Sequence, residues 1–268
     1  MTHEDPLRLK LTLHYDGTHY FGWQVQPDAP TVQGAVEEAV ARLTGAHRTV
    51  LASGRTDRGV HATGQVASVD VPATWTSDRF RTALNAVLPR DVWAEHVEAV
   101  PLDFHPRFHA QERTYAYRLG TMDGARSPFV RPYCWALGTA VHPRLLDPLA
   151  QQLLGEHSFK AFAKAGQPER GERCVITRSE WRAWGGLGLE FWVAADRFLH
   201  HMVRYLVGTM VTIARGRRPA SDLTRLLEGN DDVVTSAPAP PEGLYLVRVQ
   251  YPGDAPSPAV HESFSHET

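Results

Sequence analysis

The spacing of apolar residues switches from period two to helical and back twice along this chain, and that repeated switch restricts the fold more than any other feature. Residues 7–15, "LRLKLTLHY", alternate apolar and polar, the pattern of a half-buried strand. "TVQGAVEEAVARLTG" then places Val32, Ala35, Val36, Ala39, Val40 and Leu43 at helical spacing, with Thr31 as N-cap and Gly45 as stop. "TVLAS" and "VASVDV" predict strands, "SDRFRTALNAVL" a helix ended near Pro89, and "VWAEHVEAV" a strand. After "PLDFHPRFHA" the order recurs: strand "RTYAYRLG", helix "PRLLDPLAQQLLG", strands "ITRSEWRAW" and "GLEFWVAA", helix "FLHHMVRYLVGTMVTIARG", strand "LYLVRVQY". Two β-α-β-β-α-β units in tandem predict an α+β fold in which each half packs helices on one face of an antiparallel sheet and the other faces are left to make a cleft.

The predicted boundaries are 1–103 and 104–252, followed by a polar tail, 253–268, too rich in Pro, Ser, Asp and Glu to pack. "DDVVTSAPAPPEG" reads as a loop. Such units are shared by ferredoxin-like and RNA-recognition-like domains. The N-terminus carries no signal-peptide pattern, and the longest apolar run is broken by His200, His201 and Arg204, so a cytoplasmic protein without a membrane span is expected. Cys134 and Cys174 lie forty residues apart with no CxxC, suggesting neither a disulfide framework nor a cysteine zinc site.

Net charge is −2, which excludes a uniformly basic nucleic-acid binder but not a local basic patch. Of 28 Lys and Arg only Lys10, Lys160 and Lys164 are lysines, leaving 25 arginines, the better forks for phosphate and plates for bases. The run "FHPRFHAQERTYAYRLG" contains a single acid among arginines, histidines and aromatics.

Three segments carry chemistry. In "SGRTDRGVHATGQV" Asp57 stands between Arg55 and Arg58, in a loop whose Gly54, Gly59 and Gly64 permit unusual backbone angles or close approach. An aspartate two residues before a glycine is also a common turn former. A carboxylate beside a guanidinium stays ionised and suits a nucleophile or base. Arg204 sits in an apolar helix, where it either snorkels to solvent or requires a carboxylate such as Asp57. Tyr115 and Tyr117 share one face of a strand that also holds Arg113, and either fill a core or stack on bases.

Of 14 histidines, His200 and His201 point to different helix faces and His105 and His109 are split by Pro106, so no metal site is expected. Phosphate-loop, dinucleotide and serine-hydrolase motifs are absent.

Together, "GRTDRGVHATGQV", "DFHPRFHAQERTYAYRL", "FLHHMVRYLVGTM" and "APAPPEGLYLVRVQY" resemble the tRNA pseudouridine synthase A family in order and separation, as do "LHYDGTHYFGWQVQP" and "TVQGAVEEAV". The resemblance spans roughly Leu7 to Tyr251. It implies isomerisation of uridine to pseudouridine at positions 38 to 40 in the anticodon stem-loop of tRNA, without metal or organic cofactor, by a homodimer whose central cleft binds the RNA. Asp57 matches the catalytic aspartate and Arg204 the arginine that pairs with it. Tyr115 matches the tyrosine that stacks on the flipped uracil, its phenol being a candidate for the final deprotonation. Arg55 matches a residue implicated in flipping, Leu246 an apolar residue of the pocket floor, and Phe104, His105, Pro106, Arg107 and Phe108 an RNA-contacting loop. Arg58 is assigned to phosphate or solvent, and Arg113, beside the tyrosines, to phosphate. Tyr205 stands where the family commonly has asparagine, and Ala163 where cysteine or arginine is frequent. A non-catalytic RNA-binding module would show an RNA-recognition consensus strand, which is missing, and a histidine-metal hydrolase lacks its spacing.

Overall fold

A computed structural model describes residues 6–164 and 171–255. Strand β1 (Pro6–Tyr15) buries Leu9, Leu11 and Leu13 completely, as its period of two requires. It lies antiparallel between β3 (His61–Pro72) and β4 (Val92–Val100). Helix α1 (Val32–Thr44) begins where the Thr31 hydroxyl accepts the Gly34 N–H and ends at Gly45 with φ 71°. A two-residue strand β2 (Leu51–Ala52) pairs with β3, and α2 (Ser77–Val87) starts under the Thr76 cap.

The second half runs β5 (Glu112–Gly120), β6 (Trp135–Ala136), α3 (Pro143–Gln151), β7 (Gly155–Ser158), β8 (Arg173–Trp184), β9 (Gly188–Ala195), α4 (Met202–Ala214), α5 (Ser221–Leu227) and β10 (Leu244–Gln250). All these strands join one ten-stranded, mostly antiparallel sheet, ordered β4-β1-β3-β10-β5-β9-β8-β7, with β2 on β3 and β6 on β5. The protein is thus an α+β fold. Strand β10 is the seam between the halves, antiparallel to β5 but parallel to β3 through Tyr245–His61 and Leu246–Ala62.

Two apolar cores flank the seam. One joins β1 to α1 and α2 through Val36, Val40, Phe80 and Leu84; the other joins β5, β8 and β9 to α3, α4 and α5 through Leu146, Leu206, Met210 and Leu226. Strand β10 serves both: Leu244 packs in the second core, Leu246 and Val249 in the first. Gly64 is what lets β3 approach β10, since a Cβ there would lie 1.9 Å from the Val247 carbonyl oxygen.

Some elements differ from the sequence reading. Helix α4 begins at Met202 rather than near Phe198, because His201 adopts φ 65° and precedes the helix. Strands β6 and β7 and helix α5 are additions. The expected polar tail begins in a turn, with the Tyr251 N–H donating to Asp254 Oδ2 at 2.8 Å; residues 256–268 of that tail lie outside the described residues. No helix among the described residues is long and apolar enough to cross a membrane.

Candidate active site

The aspartate loop joins β2 to β3 and is held from below by buried polar groups. The Ser53 hydroxyl donates to Gln65 Oε1 at 2.8 Å, Gln65 Nε2 donates to the Gly54 carbonyl at 2.9 Å, and the Thr56 and Tyr15 hydroxyls meet at 2.8 Å. The Val60 N–H closes a turn on the Asp57 carbonyl, and Gly59, with φ 78°, supplies the positive angle that such a turn demands at its third residue. Gly54 needs neither a positive φ nor close approach. The backbone makes this turn without the Asp57 carboxylate, which faces the other half of the molecule.

There it meets Arg204, the third residue of α4. Arg204 Nη1 donates to Asp57 Oδ2 at 3.2 Å, and Nε donates to the Ala239 carbonyl at 2.7 Å. The side chains are only 13% and 20% exposed, so the arginine does not snorkel to solvent. Two imidazoles complete the set. His201 Nε2 lies 3.3 Å from Asp57 Oδ2 and His200 Nε2 lies 3.4 Å from Oδ1. The expectation that these histidines diverge on a helix is therefore wrong: both precede α4, with ring centroids 4.1 Å apart. Asp57, His200 and His201 each bring a ligand atom within 4.8 Å of the others, a grouping that could hold a metal ion. The Arg204 guanidinium on the same carboxylate oxygen opposes a cation there.

Asp57, His200 and His201 line a cleft of about 1940 Å³ shared by both halves, with Arg204 behind the carboxylate and outside the lining. Tyr115 stands across from Leu246 in the β5–β10 register, packs against both cores, and presents its ring edge-on to Phe198 at 5.0 Å. Burial, aided by the Asp57 carboxylate, pushes its phenol up to about 12. Tyr117 is a core residue, fully buried with its hydroxyl on the Pro240 carbonyl. Leu246 is wholly buried beneath the cleft.

The remaining predicted residues divide. Arg55 and Arg58 are exposed on the cleft wall, Arg58 over the Phe21 ring at 4.0 Å, a stacking partner that sequence reasoning missed. His105, Arg107 and Phe108 reach the cleft, Phe108 being 69% exposed with His105 tilted against it at 4.2 Å. Phe104 and Pro106 are not among the lining residues: Phe104 packs beside Tyr251, and the Pro106 carbonyl accepts from the Tyr251 hydroxyl. Arg113 lines the cleft yet is engaged with protein, its guanidinium donating to the carbonyls of Ser53, Arg107, Ala110 and Asp196. It thereby ties the aspartate loop, the 104–110 loop and the end of β9 together.

A wide cleft lined by a paired carboxylate, two imidazoles, several aromatic rings and arginines has the make-up of an enzyme site rather than a packing interface. A sequence profile described as tRNA pseudouridine synthase matches residues 12–109 and 149–252. The chain is 40% identical to "tRNA pseudouridine synthase A" of Geobacillus kaustophilus over 91% of its own length and 94% of the relative's. It is 44% identical to the protein of that name from Moorella thermoacetica, over 91% and 99%, and 39% identical to that from Rhodospirillum rubrum, over 94% and 91%. The chain belongs to the tRNA pseudouridine synthase family and is an isomerase.

Proposed function

We propose that this protein converts uridine to pseudouridine in the anticodon stem-loop of tRNA, at positions 38 to 40, with Asp57 as the nucleophile. The observation that carries the reading is the Asp57–Arg204 pair across the two halves, whose carboxylate lines a cleft wide enough for a nucleotide. Asp57 attacks either C6 of the uracil or C1′ of the ribose. The N1–C1′ bond breaks, the base turns and C5 bonds to C1′; the Asp57 carboxylate leaves with its bonding pair, displaced from C1′ by C5 or eliminated from C6, a proton leaves C5 and one is gained at N1, so atoms and charge balance. Arg204 orients the carboxylate, and Tyr115 stacks on the flipped ring above Leu246. Arg55, free of any protein partner among the described residues, fills the vacated place in the base stack. Extracting a paired base costs a few kcal/mol, which Arg58, His105, Arg107 and Phe108 offset along the strand.

The same reading takes residues 1–103 and 104–252 as tandem ferredoxin-like halves. Their matching strand orders, β4-β1-β3-β2 and β10-β5-β9-β8, support it. It also takes the working form as a cytoplasmic homodimer, a reading supported by exposed apolar side chains such as Phe129 and Met122 away from the cleft. The experiment is release of tritium to water from unmodified tRNA labelled at uracil C5, repeated on transcripts with each of positions 38 to 40 replaced by cytidine. Loss of release on those transcripts alone is the expected result. Unchanged release from them would place the modified uridine elsewhere.

A further inference from the structure

The proton that leaves C5 needs an acceptor, and the groups around Asp57 differ in fitness for it. Arg204 has no acceptor atom, and the Tyr115 phenol, pushed up to about 12, stays protonated near neutral pH. His200 has 45% of its side chain exposed, whereas His201 has 19% and lies closer to Asp57.

The backbone of His201 supplies a second, independent observation. It and Asp28 are the two non-glycine residues at positive φ among the described residues, a conformation costing about 1–3 kcal/mol. The strain does not serve to cap the helix, because the His201 side chain makes no capping bond to α4. The residue that carries it sets its imidazole 3.3 Å from Asp57 Oδ2, immediately before α4.

We propose that His201 is a catalytic residue: its neutral imidazole accepts the proton from C5 after the C5–C1′ bond has formed, and the imidazolium returns a proton to N1. The proposal rests on the reading of Asp57 as nucleophile. An Asp57 oxygen bonded to C6 or C1′ brings C5 within a few bond lengths of the His201 ring. The proton lost at C5 and the proton gained at N1 balance, and no co-reactant is needed.

The surroundings favour the neutral form. Burial lowers the His201 pKa, Asp57 pulls it back up, and His200, Arg204 and Lys164 push it down, with a net lowering. A base of this kind is active above its pKa and lost as pH falls through it, so the acid limb of the rate profile lies below the ordinary histidine range near 6.5.

His201→Gln is the discriminating variant, because the Gln amide keeps an N–H donor toward Asp57 while losing the ability to carry a proton. Two transcripts are used, one with C5-tritiated uridine and one with 5-fluorouridine, whose C5 has no proton to remove. Tritium release by His201→Gln should fall about a hundredfold or more, with loss of the acid limb, while rearrangement of the fluorinated transcript, followed by nuclease digestion and chromatographic separation of the isomeric nucleosides, stays within a few fold of wild type. Equal loss on both transcripts would reduce His201 to a structural role, and unchanged tritium release would remove it from the reaction; either overturns the proposal. A loss in Tyr115→Phe confined to the tritiated transcript, with the fluorinated one still rearranged, would transfer the base to Tyr115 and overturn the proposal. Reaction of the fluorinated transcript with the Asp57→Asn enzyme would instead sink the nucleophile reading, an outcome separate from all of these.

Discussion

At the scale of residues, one carboxylate receives a guanidinium and two imidazoles, and these partners are unequal. Arg204 is anchored twice, on Asp57 and on the Ala239 carbonyl, so it sets where the carboxylate points. Asp57→Asn keeps the size of the side chain but not its nucleophilicity, and tritium release should drop by about 10³-fold or more while tRNA binding, followed by filter retention, survives. Arg204→Ala should lower activity by about a hundredfold and stability to urea by about 1–2 kcal/mol, a figure reduced from that of a fully buried pair because both side chains retain some exposure. The residues left Arg204 either at solvent or in need of a carboxylate such as Asp57, and it was the family resemblance that named the pair; burial of both side chains is what decides between the two. The histidines were not legible, since spacing placed them on a helix whereas both precede α4, His201 with a positive φ that no spacing rule anticipates.

Among the elements, long periodic segments were read correctly and short or strained ones were not. Strands β4 and β9 run 92–100 and 188–195, the spans that alternation predicts, and α1 starts and stops at its predicted caps. Strand β2 shrinks to two residues, and β6 and β7 are too short to show any period, being defined only by neighbours distant in sequence. Helix α4 is the element on which the site depends, and it is pressed against the 237–239 segment that anchors Arg204. A Cβ at Gly208 would sit 2.1 Å from the Ala237 carbonyl oxygen. Gly208→Ala should therefore cost about 2 kcal/mol or more in urea unfolding despite its better helix propensity, and should lower kcat more than it raises KM, because the shift displaces Arg204 rather than the RNA-binding rim.

The molecule as a whole is slightly acidic yet lines its cleft with arginine, so its affinity for RNA rests on local rather than net charge. Arg55→Ala should weaken tRNA binding and make the slope of log K against log salt shallower by roughly one ion, measured by fluorescence titration. A second prediction concerns the junction of the halves, where the Tyr133 hydroxyl donates to Asp16 Oδ2 at 3.0 Å. Burial pushes the Asp16 carboxyl up, but hydrogen bonding with His61, Thr18 and Tyr133 outweighs it and holds the group well below the usual carboxylate range. Because the folded-state pKa is depressed, this stabilisation is present above about pH 4 and is lost as pH falls further. The melting temperature of wild type should thus decline more steeply than that of Asp16→Asn between pH 5 and pH 3. The seam has one further consequence, which concerns time rather than energy. Strand β10, the last in chain order among the described residues, occupies the middle of the sheet, so a ribosome delivers the aspartate loop, the tyrosine strand and the arginine helix before the strand that lets them meet. Without β10 between β3 and β5 the two half-sheets have no shared strand, so completing the site requires a pairing that spans most of the described chain, the kind of long-range contact that slows folding.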